Sequence, residues 1–259
     1  MKLIYIGDIV GGPGIQLVRQ KLAGLRETYH LDLVLANAEN AAGGLGLTPH
    51  LAQLLFEAGV DGITLGNHVW SKWELADWLR TEPRVARPAN GAPGWPGKGY
   101  IILEQAGYTC CVLNLMGQVN LTVAASPFIK VREIMQSLQE QYHPSFFVVD
   151  FHAEATAEKV AMGRFLDGQA ALVVGTHTHV QTADEQILPQ GTGYITDLGM
   201  TGPGGGVIGM SLRGSLRRFV DQLPARYELA DGPAFMNAVL ADINPASGRC
   251  ERIERLQII

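Results

Sequence analysis

The 259-residue sequence predicts an α/β fold, and three observations carry that reading. Short apolar runs recur along the chain, most followed by a polar turn and an amphipathic segment, which is the strand–turn–helix rhythm of α/β proteins. Apolar side chains make up 47% and charged ones 17%, which is enough for buried sheets and too apolar for disorder. Glycine is abundant at 31 residues and aromatics are few at 7%, a mixture that suits short turns. No linker, internal repeat or low-complexity tract divides the chain, so residues 1–259 read as one domain.

The elements follow in order. Leu3 to Ile6 is a buried strand running into Gly-Asp and a Gly/Pro turn. Ile15 to Glu27 carries Leu17, Val18, Leu22 and Leu25 at helical spacing. Leu31 to Ala36 is a second strand, ending in Asn37-Ala38-Glu39-Asn40. Thr48 at the N-cap and Pro49 at the first helical position open a helix to about Ala58, which Gly59 stops. Val60 to Leu65 is a third strand, ending in Gly66-Asn67-His68. Ser71 to Leu79 is a helix, with Trp70, Trp73 and Trp78 expected to pack one face.

Arg80 to Gly99 holds four prolines and four glycines and reads as a long irregular loop. Its Arg84, Arg87 and Lys98 could contact a phosphate or base, although loop charges are more often simply solvated. Tyr100 to Leu103 and Thr109 to Leu115 form a hairpin around Ala106-Gly107. Ser126-Pro127 opens a helix to about Tyr142. Phe146 to Phe151 is a buried strand leading to His152, and Ala155 to Leu166 is a helix. Ala170 to Val174 is a strand ending in Gly175-Thr176-His177-Thr178-His179. The last quarter alternates short strand-like pieces with turns and includes the glycine-rich run 199–206. That run lacks the lysine of a phosphate-binding loop and is expected, at most, to line a substrate mouth.

Charge and cysteines bound the function. A net charge of −5 argues against a basic face for long nucleic acid, but not against a small phosphorylated ligand. Cys110, Cys111 and Cys250 read as reduced thiols of a cytoplasmic protein. The first residues reach a polar turn too soon for a signal peptide, and no apolar run of about 18 residues could span a membrane. Whether copies associate into a homo-oligomer stays open.

The polar residues are placed unevenly. Asp8, Glu39, Asn40, Asn67, His68, His152, His177 and His179 each follow a predicted buried strand, and such strand ends are where open α/β sheets bind ligands. His30, His50 and His143 sit near helix ends or loops and read as solvated. Each residue alone has a plainer reading: Asp8 could cap the next helix, Asn67 hold a turn, His152 be a hydrogen-bonded core histidine, and His68 pack against Trp70. Together they form a mixed oxygen and nitrogen ligand set with room for two metal ions. With no cysteine nearby, imidazole and carboxylate suit iron, manganese, zinc or cobalt. Glu39 can bridge two ions. Such a pair clamps the attacking and leaving oxygens at phosphorus and lowers the pKa of a bridging water, which supplies a hydroxide nucleophile. For Asn67 and His68 to reach one volume, a turn must begin at Gly66.

The set G-D-I-V-G, N-A-E-N, G-N-H-V-W, D-F-H and G-T-H-T-H resembles the calcineurin-like metallophosphoesterases, and within them the YmdB-like branch. Val10 stands where the wider superfamily has histidine, and N-A-E-N replaces its G-D-x-x-D; the branch shares both departures. The resemblance implies a four-layer α/β/β/α sandwich of two mixed sheets. It implies one metal on Asp8, Glu39, Asn40 and His179, and a second on Glu39, Asn67, His152 and His177, with iron foremost and manganese or zinc as alternatives. His68 would be the general acid rather than a ligand, and the substrate a small phosphodiester such as a 2′,3′-cyclic nucleotide. A second class of function remains, a regulatory module that binds a nucleotide or phosphate at the metal site and acts through a partner. A dinucleotide-binding oxidoreductase lacks its glycine fingerprint here.

Overall fold

A computed structural model describes residues 1–122 and 125–259. One sheet runs, in spatial order, β2 (Asp8–Ile9), β12 (Met200–Pro203), β13 (Ala234–Asn244), β1 (Lys2–Ile6), β3 (Leu33–Asn37), β4 (Gly62–Thr64) and β5 (Val85–Ala86), and β14 (Arg249–Ile258) also pairs with β13. The other runs β10 (Gln186–Ile187), β11 (Gly193–Ile195), β9 (Leu172–Thr176), β8 (Phe146–His152), β7 (Tyr108–Met116) and β6 (Tyr100–Gln105). Both sheets are mixed: β1, β3, β4 and β5 are parallel, as are β7, β8, β9 and β11, whereas the β13–β14 and β6–β7 pairs are antiparallel.

Strand periodicity builds the layers. In β1, Leu3 and Tyr5 face the second sheet while Ile4 and Ile6 face helices, so all four are buried and the strand reads as a continuous apolar run. The inter-sheet core joins Leu3, Tyr5, Leu33 and Leu35 to Val112, Val148, Leu172 and Val174. Helices α1 (Gly11–Tyr29), α2 (Pro49–Glu57) and α3 (Glu74–Trp78) supply apolar side chains to the outer core of the first sheet, and α4 (Pro127–Tyr142) and α5 (Thr156–Phe165) do the same for the second. The predicted four-layer α/β/β/α order is thus observed. Cys110 and Cys111 fall on opposite faces of β7, and all three cysteines are buried and free. Among the described residues no helix is long and apolar enough to cross a membrane.

Four readings need correction. Helix α1 begins at Gly11 rather than Ile15; Pro13 is tolerated in a first turn because its missing N–H has no partner there. The loop 80–99 contains β5, whose two residues pair with β4. The last quarter holds helix α6 (Leu212–Phe219), capped by Ser211 accepting from Gly214 N, and the long β13–β14 hairpin. Trp73 does not pack: it is 83% exposed, whereas Trp70 and Trp78 join the core and Trp70 meets Trp95 edge to face.

Thr48 caps α2 as expected, accepting from Leu51 N. Two of the three loop cations are tied into the fold, and Lys98 is solvent-exposed. Arg84 pairs with Glu82 and lies over Phe56, Arg87 donates to the carbonyls of Trp95, Pro96 and Pro88, and Lys98 lies over Tyr100.

Candidate active site

The parallel strands of both sheets deliver their ends to one region. Asp8 opens β2, Glu39 and Asn40 follow β3, Asn67 and His68 lie in a turn after β4, His152 ends β8, and His177 and His179 follow β9. The turn does begin at Gly66, whose carbonyl accepts from Val69 N. Glycine is required there, because a Cβ would lie 2.3 Å from both Glu39 Oε2 and His152 Nε2.

The tightest cluster surrounds His152 Nε2. Glu39 Oε1 lies 3.1 Å away, Asn67 Oδ1 2.9 Å and His177 Nδ1 3.0 Å. Glu39, His152 and His177 could together hold a metal ion. A looser cluster adjoins it: His179 Nε2 is 3.3 Å from Asn40 Oδ1 and 4.0 Å from Asp8 Oδ1. Asp8 does not cap α1; its Oδ2 accepts from His177 N, and its fully buried Oδ1 has no hydrogen-bond partner.

Four of the inward-facing residues are oriented by a polar contact on their outward side. Thr176 Oγ1 donates to Asp150 Oδ1, so it accepts from His152 Nδ1, and the His152 ring turns Nε2 to the centre. His179 Nδ1 lies 3.0 Å from the Ile208 carbonyl, which can only accept, and this leaves Nε2 facing inward. His177 Nε2 lies 3.0 Å from the Glu154 carboxylate, which turns Nδ1 towards His152. Asn40 Nδ2 donates to Gly44 O, which aims Oδ1 inward. Thr176, Asp150, Glu154 and Ile208 were not singled out from sequence. Ligand-holding partners of this kind fix ring orientation and tautomer; Thr176 and Asp150 stand inside the G-T-H-T-H and D-F-H motifs without an evident role there, and Glu154 and the Ile208 carbonyl lie outside them.

The electrostatics match this crowding. Burial opposes charge on Glu39, but His152 beside it holds the carboxyl well below its usual range. Burial likewise opposes charge on His152, yet Glu39 raises its pKa above the ordinary imidazole value. Burial and neighbouring His152 push His177 far down, and burial pushes Asp8 up. His68 is half-buried; burial lowers its pKa against the pull of Glu39, whose Oε2 accepts from His68 N at 2.9 Å. His30 and His143 are exposed left-handed helix ends, and His50 is exposed on α2. A cavity of about 560 Å³ adjoins His179, lined partly by the glycine-rich run.

The family model described as YmdB-like protein matches residues 4–256. The 2′,3′-cyclic-nucleotide 2′-phosphodiesterase of Bacillus subtilis is 42% identical over 258 residues, covering 100% of this chain and 97% of that one. A crystal structure of a novel phosphatase from Mycoplasma pneumoniae superposes with a TM-score of 0.92 at 34% identity, covering 100% of this chain and 93% of that one. A putative 5′-nucleotidase from Staphylococcus aureus shares the fold, with a TM-score of 0.61 at 17% identity, covering 100% of this chain and 55% of that one.

Proposed function

The chain belongs to the YmdB-like protein family, and from that premise we propose that it is a dinuclear metal-dependent phosphodiesterase of small diesters such as 2′,3′-cyclic nucleotides. The carrying observation is the orphaned Asp8 Oδ1 among imidazole and amide atoms whose other polar ends are tied outward. A buried carboxylate oxygen without a partner is costly, and a single proton on His152 Nε2 cannot satisfy Glu39 Oε1, Asn67 Oδ1 and His177 Nδ1 together; cations fit both facts. Asp8, Glu39, Asn40 and His179 would hold one ion, and Glu39, Asn67, His152 and His177 the other. Nitrogen and oxygen donors without sulfur suit iron, with manganese or zinc as alternatives. Bound there, the ions would supply Lewis acidity, polarising the phosphoryl oxygen and making a nucleophile of water near neutral pH.

The remaining work falls to the chain. His68 is tethered by its backbone to Glu39 and donates its proton to the leaving alkoxide as the P–O bond breaks. Burial works against the charged ring, and a phosphodiester anion beside it would favour the protonated form that this role needs.

Metal analysis with hydrolysis of a 2′,3′-cyclic nucleotide tests the reading. About two ions per chain, with turnover falling about 10²- to 10⁴-fold in His68→Ala while the ions stay bound, is the expected result. A folded, metal-loaded protein inert towards every phosphodiester overturns it, and nucleotide binding without turnover would favour the regulatory alternative. In Gly66→Ala the new Cβ must displace Glu39 or His152. Hydrolysis is expected to fall about 10²-fold, because small misplacements of reacting groups cost that much; an unchanged rate would show that the turn has slack.

A further inference from the structure

The cavity beside His179 is walled in part by the hairpin β13–β14, through Phe235 and Asn237 of one strand and Arg255 and Gln257 of the other. Its wall combines Met200, Phe235, Asn237, Arg255 and Gln257, with His179 at the boundary to the polar cluster. Asn237 and Gln257 are register partners across the two strands, and Gln257 Nε2 donates to Asn237 Oδ1 at 3.1 Å. That bond uses one donor and one acceptor, and it leaves Asn237 Nδ2 and Gln257 Oε1 as a neighbouring donor and acceptor with no hydrogen bond among the described residues. Arg255 is held by Glu185 at 3.1 Å, so the cation is already neutralised and does not call for a second phosphate.

An aromatic ring and a thioether offer apolar faces, and the amide pair offers a hydrogen-bonding edge. This chemistry suits a flat, uncharged, polar heterocycle. We propose that the cavity seats the nucleobase of the substrate, with Phe235 against the ring face and Asn237 and Gln257 at its edge. The proposal rests on the phosphodiesterase reading and narrows it, because nucleoside cyclic phosphates become the substrate class in preference to base-free or lipid diesters. His179 belongs to both the cavity wall and the ligand cluster, so one molecule can place its phosphate at the cluster and its base in the cavity. Gly199 leaves the amide accessible, because a Cβ there would lie 2.5 Å from Asn237 Nδ2.

The test compares kcat/KM for adenosine 2′,3′-cyclic phosphate with that for the base-free glycerol 1,2-cyclic phosphate, in the wild type, Phe235→Ala and Gln257→Ala. The preference for the nucleotide is expected to fall about tenfold in Phe235→Ala, the scale of one lost stacking contact, and less in Gln257→Ala. A preference unchanged in both variants overturns the proposal. Calorimetric titration with adenosine 3′-monophosphate against inorganic phosphate separates this failure from failure of the phosphodiesterase reading. A protein without turnover that binds the nucleotide more tightly than phosphate, and loses that margin in Phe235→Ala, keeps the base site. No margin in the wild type removes it.

Discussion

Replacing Lys159 by methionine is expected to lower folding stability by about 3–5 kcal/mol, the cost of leaving a buried charge without its partner. Lys159 sits on α5, is 2% exposed, and donates from Nζ to Asp197 Oδ2 at 2.6 Å. Asp197 is wholly buried. The same oxygen accepts from Thr178 N and Thr178 Oγ1, while Oδ1 accepts from Gly199 N. Methionine keeps most of the stem and removes the charge, so the carboxylate stays desolvated with only dipoles to hold it. The effect reaches the site, because Thr178 lies between His177 and His179, whose φ angles of 103° and 66° are left-handed and strained for residues with a Cβ. Asp197 is the clamp on that turn. Urea unfolding of the metal-free protein measures the loss, and adding Asp197→Asn to Lys159→Met should recover part of it, since the amide carries no charge to bury. The exposed Lys130–Glu133 pair serves as control and is worth at most about 1 kcal/mol. If Lys159→Met costs no more than that control, the clamp has been misread.

Much of this architecture was legible because buried strands announce themselves. Leu3 to Ile6 or Phe146 to Val149 are apolar on both faces only where layers cover both sides, and the polar residues soon after them stand out by contrast. What stayed hidden has physical causes. Strand β14 carries Arg249, Glu251, Arg252, Glu254 and Arg255 on a hairpin at the sheet margin, so its charges mask an alternation that Cys250 and Ile253 mark only weakly. Helix α6 contains Gly214 and three arginines, and its apolar Leu212, Leu216 and Phe219 remain exposed, so no burial signal reveals it. At the site, the histidines and acids were visible as residue types placed after strands. Their aim was not, because it depends on Thr176, Glu154 and the Ile208 carbonyl, which meet the rings only in three dimensions. Nor could spacing tell that Trp73 points to solvent while Trp70 finds Trp95.

Glu39→Gln should reduce diester hydrolysis about a thousandfold or more and lower the metal content. Glu39 is 1% exposed and turns its two oxygens to different partners, Oε1 towards His152 Nε2 and Oε2 towards His68 N. One carboxylate would thus serve both the proposed metal ions and the proposed proton donor. Glutamine keeps the shape but removes the charge and replaces one acceptor by a donor. Several kcal/mol of charge stabilisation are lost with it, and each 1.36 kcal/mol is tenfold in rate. The same substitution has a pH signature in chelator-treated protein. Glu39 raises the His152 pKa in the folded state, so the ion pair stabilises the fold fully below the ordinary imidazole value near 6.5 and fades as pH climbs through the raised value. Metal-free wild type should therefore lose thermal stability across that interval, and Glu39→Gln should show a flatter profile. Cation binding has the opposite sign, because His152 must release that proton to become a ligand, so metal affinity rises with pH. A variant that retains both its ions and its turnover would remove Glu39 from the centre, whatever its melting profile shows.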